Sequence, residues 1–191
     1  MSRDWLADGR SSMAADRILD AAAREFVEKG VPATGMGDIA RAAGCSRATL
    51  YRYFENRRAL HVAFIHRAAR QIGRRIAETT RQGAEPGDRV VEAMLTALRE
   101  VRADPTLVAW FRAGEAGIAI EIAHSSEVIG VLGAAIVGDA GADETQARRL
   151  GAWLVRVTVS LLAVPGRDED DERAMLEQFV VPLLKSFSVT H

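Results

Sequence analysis

Apolar side chains recur at helical spacing along almost the whole of this 191-residue chain, and no segment alternates polar and apolar residues as a half-buried strand does. Within residues 14–29, for example, Ile18, Ala22 and Phe26 fall on one helical face. Glycine and proline residues separate the periodic segments. The pattern predicts an all-α fold of about nine helices. The predicted helices cover residues 14–29, 36–43, 47–53, 56–80, 88–103, 106–116, 118–137, 144–164 and 170–188.

Charge is distributed unevenly along the chain. The net charge is −1, yet residues 39–75 carry nine arginines and a single acidic residue, Glu55. A basic block on a nearly neutral protein favours a polyanionic partner such as DNA. A solvated helix surface has the same composition, so charge alone leaves both interpretations open.

Two short helices within residues 38–54, DIARAAGCSRATLYRYF, form the most informative segment. Gly44 can adopt the positive φ that ends the first helix, and Ser46 can cap the second. Ile39 and Leu50 are placed to pack between the two helices. The segment therefore predicts a helix-turn-helix, in which the second helix enters the major groove of DNA.

The second helix of this pair carries side chains that suit DNA. Arg47 and Arg52 can reach guanine edges or phosphates, whereas Thr49 and Tyr51 supply hydroxyl groups for phosphate or base contacts. Short helical hairpins occur in many proteins, so the geometry alone is a moderate signal of DNA binding.

The longer segment of residues 17–60 resembles the DNA-binding domain of the tetracycline-repressor (TetR) family, through the order of small, apolar and aromatic positions in ILDAAAREFVEKG and DIARAAGCSRATLYRYF. The resemblance implies a helix-turn-helix DNA-binding domain of three helices with a short N-terminal arm in residues 1–58. It also implies a helical effector-binding and dimerisation domain in residues 59–191. By the same resemblance, the recognition helix is lined by Ser46, Arg47, Ala48, Thr49, Tyr51, Arg52 and Tyr53, and Arg57 binds phosphate.

Three positions depart from the family's pattern. Gly35 replaces the usual Ser or Thr cap of the second helix, and glycine is an acceptable cap. Gly37 lies where some members reach DNA with a side chain, so base recognition is expected to depend on the recognition helix. Arg57 replaces the usual lysine at the start of the fourth helix, which keeps the charge and adds a bidentate pair of donors.

The last two predicted helices are apolar on more than one side, and such helices need partners on more than one side. Each is either a fully buried central helix or a helix that packs both on its own domain and on a second subunit. For a chain of this size we favour the second alternative, a homodimer. The predicted dimer interface includes Trp153, Val157, Leu161, Phe179 and Leu183.

The middle helices predict an effector pocket, because large apolar side chains there are accompanied by few polar groups. The alternative is that the same side chains fill the core. By family analogy, a ligand would shift the long fourth helix and so change the spacing of the two recognition helices. The predicted pocket residues are Met94, Leu98, Leu107, Trp110, Phe111 and His124, with Glu115 and Glu121 as further polar groups.

Several functions leave no signature in the sequence. Phosphate-loop, nucleophile-elbow, zinc-protease and dinucleotide-binding motifs are absent, so neither an enzyme activity nor a cofactor is expected. One cysteine and four scattered histidines predict no metal site. The longest uncharged stretch, residues 128–138, has 11 residues, whereas a membrane helix needs roughly 20. With a charged N-terminus that resembles no secretory signal, the chain is expected to be cytoplasmic and free of membranes.

The sequence thus predicts a one-component transcription regulator, most simply a repressor that a small, mainly hydrophobic ligand releases from a double-stranded DNA operator. The two-fold symmetry of a homodimer favours an inverted-repeat operator. The alternative is a helical small-molecule-binding protein in which DNA binding is secondary or lost.

Overall fold

The computed structural model describes residues 5–80, 85–112, 116–138 and 143–188. Eleven α-helices and one short 3-10 turn occupy these ranges, and no strand lies among them, so the predicted all-α fold is confirmed. The helices are α1 (Trp5–Lys29), α2 (Met36–Ala42), α3 (Arg47–Tyr53), α4 (Arg57–Thr79), α5 (Pro86–Ala103), α6 (Pro105–Val108), α7 (Ala116–Ser125), α8 (Glu127–Gly138), α9 (Glu144–Ala163), α10 (Glu169–Phe179) and α11 (Val181–Ser188), and the 3-10 turn is Ala109–Phe111.

The chain divides into two compact units, residues 1–64 and 65–191, and the division falls inside α4. The functional boundary expected after residue 58 lies in the first turn of the same helix. Glu115, one of the predicted pocket residues, lies outside the described residues.

An aromatic cluster joins α1 to the first turns of α4 in the first unit. Phe26 is fully buried, and its ring meets those of His61 and Phe64 edge-on, at centroid distances of 5.5 and 5.4 Å. Burial lowers the pKa of His61 to about 4, with a further contribution from the nearby charge of Arg57. The imidazole is therefore neutral at neutral pH and packs as part of the apolar core.

Helix α5 forms the centre of the second unit. Val90, Met94 and Leu98 belong to a cluster of buried core residues, and Ala93 and Thr96 are buried as well. Leu150 and Leu154 of α9, Leu176 and Val180 at the end of α10, and Leu184 of α11 pack into the same cluster. Within the described residues α5 is thus the helix that is buried on more than one side. From the sequence, a central buried position was one of the two alternatives for the last two predicted helices.

There are more helices than predicted because three predicted helices are divided. Residues 118–137 contain α7 and α8, which meet at 70°. Between them the Ser126 hydroxyl accepts a hydrogen bond from the Ile129 N–H at 3.2 Å, as an N-cap residue does. The last predicted helix is broken at Val180, and Pro182 lies in the first turn of α11, where a missing N–H costs little. Residues 106–116 contain only α6 and the 3-10 turn in their described part.

No single helix of the described ranges is long and apolar enough to cross a membrane. Helices α7 and α8 meet the length and composition criteria only as a bent pair.

A buried carboxylate closes the turn between α9 and α10. Glu172 is 1% exposed and accepts hydrogen bonds from Arg102 Nη1 and Nη2, at 2.8 and 2.7 Å, and from the Gly166 N–H at 2.9 Å. Arg102 Nη2 also donates to the Leu161 carbonyl at 3.1 Å. The hydrogen bonds from Arg102 hold the pKa of Glu172 below its usual range. This charge pair therefore ties α5 to the end of α9 and the start of α10.

We expect Glu172→Gln to lower the free energy of unfolding at neutral pH by about 2 kcal/mol, because it leaves Arg102 without its carboxylate partner. The folded-state pKa of Glu172 lies below its unfolded value of about 4.3. Its stabilising contribution is therefore complete above that value and is lost as the pH falls through the folded pKa. Urea unfolding followed by circular dichroism should show the difference between variant and wild type shrinking as the pH falls below about 4.

Glu144→Gln is the matched control, because it removes an exposed carboxylate that pairs with Arg148 on the surface of α9. It should cost less than about 0.5 kcal/mol. Equal unfolding free energies for Glu172→Gln and the wild type at neutral pH would contradict the stabilising role of the buried pair.

Candidate nucleic-acid interface and ligand cavity

The turn between α2 and α3 is formed by short-range hydrogen bonds. Gly44 has a φ of 67°, a left-handed value that glycine adopts without strain. The Cys45 N–H donates to the Ala40 carbonyl at 3.0 Å, and Ser46 Oγ accepts from the Thr49 N–H at 3.0 Å. The end of α2 and the start of α3 are therefore capped by the residues that the sequence indicates.

Asp38 fixes the start of α2 against the end of α1. Its carboxylate pairs with Lys29 Nζ at 3.2 Å and accepts from the Gly35 N–H, also at 3.2 Å. The hydrogen bond from Lys29, followed by that from Gly35, lowers the pKa of Asp38. The carboxylate thus stays charged and holds the first turn of α2 in place.

The outward face of α3 contains the side chains that were predicted to contact DNA. Leu50 and Ile39 are fully buried between α2 and α3, which turns the rest of α3 outward. The Arg52 guanidinium lies 5.4 Å from the centre of the Tyr53 ring. Seven residues were predicted to line the recognition helix. Five of them are exposed, namely Ser46, Arg47, Ala48, Tyr51 and Arg52, and the other two, Thr49 and Tyr53, are half-buried. We call these seven residues the recognition surface.

Gly37 provides the space in which the Arg47 side chain lies. A Cβ atom built on Gly37 would overlap Arg47 Nη2 and would lie 3.0 Å from its Cζ and 3.1 Å from its Nε. The guanidinium therefore lies directly over the first turn of α2. From the sequence, the absence of a side chain at Gly37 means one fewer possible DNA contact. In the structure it also leaves the space in which Arg47, a residue of the recognition surface, lies.

Arg57 is half-buried, and it is bonded to the loop that follows α1. Its Nη2 donates to the carbonyls of Val31 and Pro32, at 2.5 and 2.7 Å. The predicted phosphate contact would therefore have to use Nη1. The contacts that the structure shows for Arg57 stabilise the joint between the α1–α2 loop and α4.

The second unit contains an apolar cavity of about 430 Å³, within the size range of small-molecule sites. Its wall is formed mainly by small and branched side chains of α4, α5, α8 and α9. The lining residues are Ala69, Ile72, Gly73, Ile76, Ala77, Thr80, Arg89, Ala93, Met94, Ala97, Val101, Ala123, Ile129, Leu132, Gly133, Ala135, Ile136, Leu154, Val155, Thr158 and Val159.

Among the described residues that were predicted for the pocket, Met94 lines this cavity and the others do not. Leu98 and Trp110 are fully buried in the core, and Leu107 is buried beside a smaller surface pocket. Phe111 is half-buried and His124 is exposed. The sequence reasoning missed the α4 wall, although Ala69, Ile72, Gly73, Ile76 and Ala77 recur at helical spacing and could have indicated it.

The predicted dimer-interface residues lie at the surface of the second unit to different degrees. Phe179 is 60% exposed and Leu183 is 41% exposed. Trp153, Val157 and Leu161 are half-buried and pack against the core cluster through part of their surface. For metals, no group of three or more His, Cys, Asp or Glu side chains in the described part of the chain could hold an ion.

Comparisons with known proteins agree with this arrangement. The family model for bacterial regulatory proteins of the tetR family matches residues 18–64. An uncharacterized HTH-type transcriptional regulator of Mycobacterium tuberculosis, Rv1255c, is 49% identical over 182 residues, which cover 95% of this chain and 90% of the relative. The TetR family repressor AlkX of a Dietzia species has a TM-score of 0.64 and 26% identity, covering 89% of this chain and 94% of AlkX. RolR in complex with resorcinol has a TM-score of 0.69 at 15% identity, covering 96% and 97% of the two chains.

A capped helix-turn-helix in one compact unit and a helical unit with an apolar cavity are typical of DNA-binding transcription regulators. The relative in M. tuberculosis matches over nearly the whole of both chains. The chain belongs to the tetR family of bacterial regulatory proteins. The family resemblance and the regulatory function predicted from the sequence are thereby confirmed.

We expect Gly37→Ala to weaken DNA binding by displacing Arg47, although alanine is the better helix former. The loss should be smaller than that of Arg47→Ala, because the atoms in the way belong to the end of a flexible side chain that can move aside. The double variant should bind about as well as Arg47→Ala alone, because the effect of Gly37→Ala acts through Arg47. Fluorescence anisotropy on one operator fragment measures all four proteins. Independent, additive losses from the two substitutions would show that Gly37 does not act through Arg47.

Proposed function

We propose that this regulator is a repressor: a homodimer that binds an inverted-repeat operator through two recognition surfaces and is released by a small, mainly hydrophobic ligand. The course of α4 supports this mode of regulation. Its first turn holds Arg57, which bonds to the α1–α2 loop, and its later turns supply Ala69, Ile72 and Ile76 to the cavity. A ligand that moves the later turns therefore acts on a helix that also belongs to the DNA-binding unit.

Proteins with the same fold support a ligand response. AlkX is described as a repressor, RolR was solved with resorcinol, and FadR of Bacillus subtilis was solved with stearoyl-CoA. The cavity of the present chain, lined almost entirely by apolar side chains, suits a hydrophobic ligand better than a sugar or a nucleotide. A coupling free energy of about 1–3 kcal/mol would lower operator affinity by roughly 5- to 150-fold. No catalytic step is assigned to the chain.

Selection of bound fragments from genomic DNA, followed by footprinting, tests the DNA-binding part. We expect an inverted repeat whose half-sites lie in successive major grooves, about one helical turn apart. Arg47→Ala should weaken specific binding by about 1–3 kcal/mol and relax the preference at one base pair of each half-site. This loss is expected because the exposed Arg47 guanidinium can bond to a guanine edge.

Arg148→Ala removes an exposed arginine of α9 and serves as the matched control, with unchanged sequence preference expected. Selected fragments without dyad symmetry would argue against the dimeric operator. A protein that binds ligands but selects no DNA sequence would instead be the helical small-molecule-binding protein that the sequence left as the alternative.

Exposed apolar side chains of the second unit support the homodimer. Phe179 at the end of α10 and Leu183 in α11 leave much of their apolar surface exposed to water. Helix α9 adds three half-buried apolar side chains, Trp153, Val157 and Leu161. Exposed aromatic side chains such as Phe179 suit a protein–protein interface, where aromatic residues are enriched.

Phe179→Asp should convert the dimer into monomers, because a carboxylate would lose its hydration in the apolar interface. Sedimentation velocity at micromolar concentration measures the change, and circular dichroism should show unchanged helix content. Met13→Asp alters an apolar side chain of α1 that is 69% exposed and should leave the dimer intact. If the wild-type protein sediments as a monomer, the proposed homodimer is wrong. The proposed inverted-repeat operator, which depends on the symmetry of the dimer, is then wrong as well.

A further inference from the structure

The apolar cavity has one polar end, where it meets a second depression. A polar groove of about 580 Å³ adjoins it, and both share Thr80 and Arg89 as lining residues. The groove is lined by Thr79, Thr80, Asp88, Arg89, Val91, Glu92, Arg173 and Glu177. An apolar compartment and a polar compartment therefore meet at Thr80 and Arg89.

Arg89 supplies the hydrogen-bond donors at this junction. Thr158 and Thr80, the two hydroxyl-bearing residues of the cavity wall, donate to the carbonyls of Leu154 and Ile76, at 3.0 and 2.7 Å. Their hydroxyl hydrogens are thus used within their own helices. A guanidinium has five N–H donors, so Arg89 can bind a ligand oxygen while it keeps contacts with the protein. It is also the only charged side chain among the described residues that line the cavity.

The charges of the groove limit how much negative charge a ligand can carry. Arg173 is paired with Glu92 at 2.6 Å and lies 3.9 Å from Glu177. Together with Asp88 and Arg89, the groove contains three carboxylates and two guanidinium groups. A single carboxylate can bind to Arg89, whereas a head group with several negative charges would be repelled by the acidic side chains.

We propose that the ligand of this cavity is an amphiphile with one carboxylate head and an apolar tail, of the fatty-acid type. The tail lies in the cavity beside α4 and α8, and the carboxylate binds the Arg89 guanidinium at the junction with the groove. This ligand class depends on the proposed function, because it assumes that the cavity is the effector site.

Calorimetric titration in the absence of DNA tests the assignment with decanoate and decanol, which share a tail and differ in the head. The wild type should bind decanoate about ten- to a hundredfold more tightly than decanol, as expected for a hydrogen bond between charged groups. Arg89→Met should abolish this preference while decanol binding persists. Arg89→Lys should retain part of it, because the charge remains.

Two further variants separate the head from the tail. Arg148→Met, on the exposed surface of α9, should leave the preference unchanged. Ala97→Leu places a larger side chain in the cavity wall and should weaken decanoate and decanol by the same factor. Equal affinity of the wild type for the two compounds, or binding of neither, would overturn the assignment.

Decanoyl-coenzyme A tests whether the head group must be a single free carboxylate. It has the same tail as decanoate, but its head is a thioester that carries several phosphate charges. Tighter binding of this thioester than of free decanoate would overturn the single-carboxylate head. Operator release is measured separately by anisotropy. If decanoate binds through Arg89 and leaves the protein on its operator, the ligand class stands and the proposed release of a repressor fails.

Discussion

The packing of Phe26 between α1 and α4 is the contact on which the DNA-binding unit depends. The ring lies edge-on to His61 and Phe64, and both neighbours belong to α4. Arg57 adds a polar contact one turn earlier, through the carbonyls of Val31 and Pro32. Because α2 and α3 follow directly from that loop, the same joint sets where the recognition surface lies relative to the start of α4. A charged His61 would be buried away from water and would lie near the positive charge of Arg57, and both effects lower its pKa. The imidazole therefore stays neutral at neutral pH, and the packing between α1 and α4 is preserved.

In the second unit, small residues determine where helices touch and where space remains. Gly133 and Gly151 bring the backbones of α8 and α9 together, since a Cβ on Gly151 would lie 2.5 Å from the Ala134 nitrogen. A Cβ on Gly73 would lie 2.9 Å from Leu132 Cδ2, in the wall between α4 and α8. A larger side chain at any of these positions would separate two helices or move a wall residue, and so alter the cavity. The volume available to a ligand is therefore set by residues that bear almost no side chain.

The helix-turn-helix could be predicted from the sequence because its determinants are local. Gly44 and Ser46 act within a few residues of their own positions, and Ile39 and Leu50 need only one crossing between neighbouring helices. The cavity has no such local determinants, because its walls come from helices distant in the sequence. Large apolar side chains indicated a pocket at Trp110, yet a side chain of that size fills space, and it is 1% exposed in the core. The divisions within the predicted helices could not be predicted from the sequence either. Serine and proline residues such as Ser126 and Pro182 can begin a new helix, but they do not do so at every position.

Both functional regions thus depend on positions where a side chain is absent. Gly37 leaves the space over α2 that Arg47 occupies, and Gly73 and Ala97 leave the space of the cavity. Chemical groups then act within those spaces: the Arg47 guanidinium on the recognition surface and the Arg89 guanidinium at the polar end of the cavity. Substitution of one small residue can change the shape of the cavity while the recognition surface, which lies in the other unit, keeps its own contacts. Ligand preference can therefore change without any change in the DNA-binding motif, because the shape of the cavity depends on small residues of the second unit.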